Sequence, residues 1–419
     1  MDDKKMTWWR EARFGMFIHW GLYSLLGGFY ENKEVPGAGE WIMHNARIPL
    51  SDYKKIAASF NPVDFNTEEI CRLAHDAGMK YIVYTAKHHD GFAMYQSSID
   101  KYNIVDATPY KRDPLRDLAC ECRKYGLKLC IYYSQTLDWS DSDALGNTWD
   151  FDGSGDFDRY LKRKCLPQLT ELLTNYGEIG LIWFDLPNGM TKEQSKVIAD
   201  HVRSIQPQCI LSGRIGNGLS DYKSSGDNSI PYLPVGYDWE CPATLNHTWG
   251  FKVNDHDWKN PEDILHKLID INGKNGNYLL NIGPDGKGKI PSESVEILRS
   301  IGNWMQHNSD SIYGTCAAPI PPYEQNELFT CKPGKLFIHF FGQNKNHITP
   351  GVYLIRNMDI DVRRCYFMDE PEKMLEWSMD FPQALGVHYF RIKMPENMTI
   401  DMDRVLCVEY NGTIVCESV

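Results

Sequence analysis

No stretch of this chain is apolar over the roughly 18 residues that a membrane-spanning helix requires, so a bilayer span is not expected. Basic charge is also in short supply. Lys and Arg number 44 against 56 Asp and Glu, a net charge of -12 with no long run of either sign. An acidic chain gains nothing from counterion release, which argues against nucleic acid and anionic membrane as partners. Cysteine is present, at 12, but CxxC and Cys/His zinc spacings are missing, so buried free thiols are the expected state. The "GKGKI" starting at Gly286 lacks the pattern of a phosphate-binding loop. The opening MDDKKMTWWREARFGMF has no long apolar core of the kind a signal peptide carries. A reducing cytoplasm is the expectation, or the periplasm or secretion where a leader has been removed.

What is present is a rhythm. Short apolar runs at 14–20, 81–86, 127–133, 179–185, 209–214, 237–240 and 277–282 alternate with amphipathic stretches at 67–78, 113–126, 157–177, 191–205, 261–273 and 292–306. Gly78, Gly126 and Gly177 close helical stretches just before the next run, where a left-handed residue ends a helix. Repeated β-then-α units imply parallel strands covered by helices. Without a Gly-rich dinucleotide turn, they favour a (β/α)8-type TIM barrel, irregular in places. After PIPPYE (319–324) the pattern changes to short strands at KLFIHFFG, HITPGVYLIRN, RRCYFM, VHYFRIKM, RVLCVEY and TIVCESV, read as a small antiparallel β-sandwich. Residues 1–315 are therefore assigned to the barrel and 316–419 to the sandwich.

In a parallel barrel the strand C-termini share one mouth. "GLIWFDLPNG" (180–189) ends an apolar run on a carboxylate, Asp185, before the turn residues Pro187-Asn188-Gly189. Burying an acid there is costly unless it is paired or used. A loop cap or an arginine partner is the plainer reading of a single such residue. The other strand ends, however, supply His19-Trp20, Lys87-His88-His89-Asp90, Tyr133-Ser134, Arg214 and Trp239-Glu240, and a loop adds Asp221 and Asp227. Acids, imidazoles and aromatics on one rim suit a polyhydroxylated ligand, and two carboxylates are the minimum for glycosidic cleavage. Neighbouring His88 and His89 would point to opposite sides of an extended strand, so no metal pair is expected and at least one is read as a satisfied core histidine. The chain has 12 Trp, 23 Tyr and 17 Phe, of which packing accounts for most, Trp8, Trp9 and Trp304 among them.

The stretches RFGMFIHWGLYS, GEWIMHN, KYIVYTAKHHDGFAMY, IYYSQTLDW, IWFDLPNG, DWECPATLNHTWGF and NGNYLLNIGPDGKGKIP together resemble the α-L-fucosidases of glycoside hydrolase family 29. The resemblance runs in order from about residue 8 to residue 314. It implies a retaining exo-hydrolase of terminal α-L-fucose on fucosylated oligosaccharides or glycoconjugates, without cofactor or metal. It carries the nucleophile onto Asp185, whose pKa neighbouring His88, His89 or Arg214 should hold down. It carries sugar binding onto His19, Glu40, Trp41, His88, His89, Tyr133, Trp183 and Arg214, with Trp249 closing the pocket near the sugar's methyl group. The general acid/base is less direct. Many members carry Thr-Pro-Glu where this chain reads DYKSSGDNSIP, which makes Asp227 the favoured counterpart and Glu240 of "DWEC" the alternative. A barrel glycosidase for a related sugar such as a galactoside, or a non-catalytic fucose-binding protein, are the competing readings. Linkage preference falls to loops such as 135–156, and oligomeric state is not legible.

Overall fold

The computed structural model describes residues 4–320, 327–342, 351–356, 358–382, 388–396, 398 and 400–416. It contains eight parallel strands: β1 Phe14–Ile18, β2 Tyr81–Lys87, β3 Lys128–Tyr133, β4 Leu181–Phe184, β5 Ile210–Leu211, β6 Lys223–Ser224, β7 Trp239–Thr244 and β8 Gly276–Ile282. Their order is β5-β4-β3-β2-β1-β8-β7-β6, the cyclic order of a TIM barrel left unladdered between β5 and β6. The expected strand at 209–214 shrinks to two residues because Gly213–Ile215 turns into a 3-10 segment. The eighth strand, β6, lies in what the sequence suggests is only loop. Asp221 bridges the unladdered side: its N–H donates to Leu211 O and its Oδ2 accepts from Leu211 N, each at 2.9 Å.

Helices α1 Lys4–Ala12, α2 Thr67–Asp76, α3 Pro114–Lys124, α4 Leu166–Asn175 and α5 Lys192–Ile205 come next, with α6 Pro261–Gly273 and α7 Ser292–Asn308 later in the chain. Asn66 and Asp113 cap α2 and α3 by accepting from backbone N–H groups of the first turn. Gly78, Gly126 and Gly177 all take positive φ, as their position after a helix requires. The single helix expected over 157–177 is broken by a π-turn at Leu161–Cys165. Pro167 follows it and has no N–H to donate four residues back, so the ladder shifts there.

Alternation along the strands sends Phe17, Tyr81, Val83, Cys130, Tyr132, Leu181, Trp183, Ile210 and Leu279 into one interior cluster. Met6, Trp9 and Ala12 of α1 join it, with Trp9 stacked on Tyr222 at 4.6 Å. The helix thus plugs one end of the barrel, fixed there by Lys5 to Asp221 at 2.6 Å and Arg10 to Asp238 at 2.8 Å. The other end, where the strands finish, stays open for a site.

The second architecture is antiparallel. One sheet has the order β9-β10-β11-β16-β13, from β9 Cys316–Ala317, β10 Glu327–Lys332, β11 Lys335–Phe341, β13 Met358–Phe367 and β16 Asp403–Cys416. The other has the order β12-β15-β14, from β12 Val352–Arg356, β14 Trp377–Asp380 and β15 Tyr389–Lys393. Leu336, Ile338, Phe340, Leu406 and Val408 of the first share a buried cluster with Ile355, Phe390 and Ile392 of the second, which makes this a sandwich. RVLCVEY and the first four residues of TIVCESV, read as two strands, form the single β16. Its pairing with β13 shifts register near Asp359–Asp361 and Val362–Arg364 instead of breaking at Asn411-Gly412. Residues 321–324 of the Pro-rich break, 347–350 and 357 of HITPGVYLIRN, 387 of VHYFRIKM and 417–419 of TIVCESV lie outside the described residues.

The barrel's parallel strands all precede residue 316 and the two antiparallel sheets begin at it. By compactness the chain forms two units, Met1–Ile230 with Tyr237–Lys259 and Tyr278–Arg299, and Pro231–Gly236 with Asn260–Asn277 and Ser300–Val419. Among the described residues no helix is long and apolar enough to cross a membrane.

Candidate active site

A cavity of about 280 Å³ opens at the strand C-termini of the first unit. Its floor and walls are Phe17 and His19 after β1, Glu40 and Trp41 of a short 3-10 turn, His88 and His89 after β2, Trp183 and Asp185 of β4's end, and Arg214 after β5. Trp249 and the more exposed Ala38, Leu186, Asp227 and His247 complete it. Ten of the residues singled out from sequence meet here.

Asp185 is the chemical centre. Its Oδ1 accepts from Arg214 Nη1 at 2.7 Å, and its Oδ2 accepts from Tyr132 Oη at 2.9 Å and faces His89 Nε2 at 3.4 Å. Its own N–H donates to Gln135 Oε1 at 2.9 Å, and Gln135 Nε2 donates to Arg214 O at 3.0 Å. Leu186, at φ 46°, swings the chain away immediately afterwards. Burial alone would raise this carboxyl's pKa, but His89 and the Arg214 guanidinium outweigh it and hold the group well below the usual carboxylate range. Asp185 is therefore ionised at neutral pH. The plainer expectation of an arginine partner also holds, since Arg214 is that partner, and the carboxylate still faces the cavity.

Arg214 does more than pair once. Its Nη2 donates to Asp227 Oδ1, and its guanidinium lies over the Trp183 ring at 4.8 Å. Both carboxylates are thus held by one guanidinium, Asp185 deep and Asp227 at the half-exposed rim.

The imidazoles are set by their partners. Burial pushes His19 down to about 4, so it is neutral at physiological pH. Its Nδ1 lies 2.8 Å from Asn281 Oδ1, and Asn281 Nδ2 donates to Trp249 O at 2.8 Å, so one amide of β8 orients both His19 and Trp249. Ser134 Oγ donates to Leu137 O at 2.8 Å, which leaves it to accept from His89 Nδ1 at 2.6 Å. His88 and His89 both line the cavity, with ring centroids 4.3 Å apart, and His88 Nδ1 has no hydrogen-bond partner. His89 is buried with both ring nitrogens facing partners, so it is the satisfied one of the two even though it lines the cavity. The opposed orientation expected of neighbours fails because β2 ends at Lys87, before either residue, and a turn starts at His89.

Two predicted residues lie elsewhere. Tyr133 is fully buried away from the cavity, its hydroxyl donating to Gln168 Oε1 at 2.9 Å and its ring under Lys87 Nζ at 4.4 Å. Tyr132 takes its place on Asp185. Period-two alternation explains the exchange, because Tyr132 pairs in register with Trp183, which faces inward. Glu240 is also fully buried. Its Oε1 accepts from Trp183 Nε1 and Tyr222 Oη at 2.8 Å each, and its Oε2 from Tyr81 Oη at 2.9 Å. The strand expected to end at Glu240 instead begins at Trp239 and runs on to Thr244, so Glu240 sits a layer below the mouth. Gln135, Tyr132 and Asn281 went unnoticed in the sequence; strand register would have found Tyr132.

Glu40 is buried with its Oε2 accepting from Gly250 N at 2.8 Å. Burial pushes its pKa up to about 7 from an ordinary 4.5, with the Asp185 charge adding and the Gly250 and Thr248 hydrogen bonds opposing. The folded value exceeds the unfolded one, so the folded state holds the extra proton between them and loses stability as pH rises through that window. Glu40→Gln removes the titration. Its melting temperature relative to the parent should therefore climb from about pH 5 to about pH 8. A pH-independent difference in paired melts would show that Glu40 does not titrate there.

Among the described residues, no group of three or more His, Cys, Asp or Glu is arranged to hold a metal ion. The alpha-L-fucosidase family model matches residues 1–310. An alpha-L-fucosidase of Dictyostelium discoideum is 28% identical over 337 residues, spanning 74% of this chain and 71% of that protein. The crystal structure of an alpha-L-fucosidase from Vibrio sp. strain EJY3 superposes with a TM-score of 0.93 at 32% identity, covering 99% of this chain and 74% of that one. AlfC of Lactobacillus casei, solved in complex with alpha-L-fucose product, gives 0.70 at 41% identity over 73% of this chain and 99% of its own; a variant of AlfC was solved with Fuca(1,6)GlcNAc. With the family model spanning this barrel and its relatives matching across it, the chain belongs to the alpha-L-fucosidase family of glycoside hydrolases.

Proposed function

We propose that this enzyme releases terminal α-L-fucose from fucosylated oligosaccharides with retention, Asp185 attacking the anomeric carbon and Asp227 serving as acid and then base. The observation that carries the reading is the ionised Asp185 on the cavity floor, sharing Arg214 with Asp227 at the rim. In the first step an Asp185 oxygen bonds to the sugar's C1 while the C1–O bond breaks and the leaving oxygen takes the Asp227 proton. In the second, Asp227 takes a proton from water, whose oxygen displaces Asp185. His19, His88, His89 and Arg214 offer hydrogen-bonding groups to the hydroxyls, and Trp249 and Phe17 offer apolar faces. The Fuca(1,6)GlcNAc held by the AlfC variant supports a fucosylated saccharide as the substrate class.

The test is turnover of an aryl α-L-fucoside against the matching aryl galactoside, with the first-formed anomer followed by proton NMR. Fucose should appear first as the α anomer. Faster turnover of the galactoside, or a first-formed β anomer, would sink the reading.

A further inference from the structure

We infer that the aromatic row Trp41–His44–Trp149 is the subsite that holds the pyranose from which fucose is cleaved. This rests on the fucosidase reading and extends it beyond the fucose pocket.

Trp41 belongs to two surfaces. Its ring centroid is 5.2 Å from that of His89 inside the cavity and 5.1 Å from that of His44 outside it. His44 is in turn 5.6 Å from Trp149. Beneath them lies Trp139, fully buried, at 5.2 Å from Trp41, 5.6 Å from His44 and 6.1 Å from Trp149. Trp139 is the packing member of the group. The upper three are not buried: His44 is exposed, and Trp41 and Trp149 are half-buried. A continuous aromatic surface that leaves a sugar-sized cavity and stays open to solvent is a platform.

It is also a built surface. Trp149 Nε1 donates to Ile48 O at 2.9 Å, and Asp150 Oδ2 accepts from Leu50 N at 3.0 Å and Asn147 Nδ2 at 2.9 Å. These bonds tie the segment at 147–150 to the one at 48–50, so the rings are held before any ligand arrives. In an exo-cleaving enzyme the leaving sugar must project through the mouth, and Trp41 is part of that rim. Aromatic faces of this kind match the C–H face of a neutral pyranose.

The test compares two substrates that share fucose and differ in what leaves: α-L-fucosyl fluoride, and a fucosyl-N-acetylglucosamine disaccharide. His44→Ala and Trp149→Ala should each lower kcat/KM on the disaccharide by roughly three- to tenfold while leaving the fluoride within about twofold. Trp149→Phe keeps a ring and should recover most of the loss. His44 lies on the surface, so His44→Ala carries the test even if Trp149→Ala melts early. Equal losses on both substrates, or none on the disaccharide, would overturn the subsite. If the parent enzyme cleaves neither substrate, the fucosidase reading itself falls.

Discussion

Asp185→Ala should lower kcat on an aryl α-L-fucoside by on the order of 10⁴-fold or more, as loss of a covalent nucleophile does elsewhere. The residual Arg214, His89 and Tyr132 remain, and none can form the glycosyl ester. Sodium azide should restore turnover, because a small anion enters the space the carboxylate vacates and attacks the same face of the sugar. The product then identifies the role: β-L-fucosyl azide, inverted once, forms only if the missing group was the nucleophile. Asp185→Asn controls for structure, since it keeps the shape while removing the charge that Arg214 and His89 face. Unchanged turnover in Asp185→Ala, or a variant that azide leaves inert though folded, would remove Asp185 from the chemistry.

Asp227→Ala is the second large effect, and it should depend on the substrate. With a poorly departing sugar the loss should be about 10²–10⁴-fold, the contribution of a positioned general acid. With a leaving group that needs no proton, bond cleavage should be far less impaired, and the slower second step should then limit turnover. Glu240→Ala should behave differently. It strips the partners from Trp183 Nε1, Tyr81 Oη and Tyr222 Oη, and each buried unpaired donor costs roughly 1–3 kcal/mol. Its signature is therefore a fall in melting temperature, with similar losses on both substrates. A leaving-group dependence in Glu240→Ala and none in Asp227→Ala would exchange the two roles.

Much of this was legible in the chain itself. Asp185 stands out because an acid that ends an apolar strand has to be used or paired, and it is paired with Arg214 while it lines the cavity. The alternation of runs and amphipathic stretches conveys the barrel, since each strand and helix carries its own period. Tyr133 and Glu240 misled for different reasons. The third strand ends at Tyr133 as expected, but a side chain's face changes with every residue, and Tyr132 is the one turned to Asp185. For Glu240 the strand end was misplaced, since the strand runs four residues further, to Thr244, and leaves Glu240 in the packed interior. His88 and His89 share the cavity because β2 ends at Lys87 and strand alternation does not continue through them. Gln135 and Asn281 were hidden because their work is done through backbone and amide contacts that no local pattern marks.

The unladdered side of the barrel separates two kinds of freedom. Asp185, the proposed nucleophile, follows a strand clamped by neighbours on both flanks, so lengthening or shortening it would drag the adjoining registers along. Asp227, the proposed proton donor, follows β6 on the side of the barrel where an Asp221 clasp stands in for a ladder. Segments grafted between Ser225 and Ile230, after β6, can therefore move Asp227 to suit a different leaving group without replacing a barrel strand. Redesign of such an enzyme toward new acceptors has its natural point of entry there, at the slot and not at the floor.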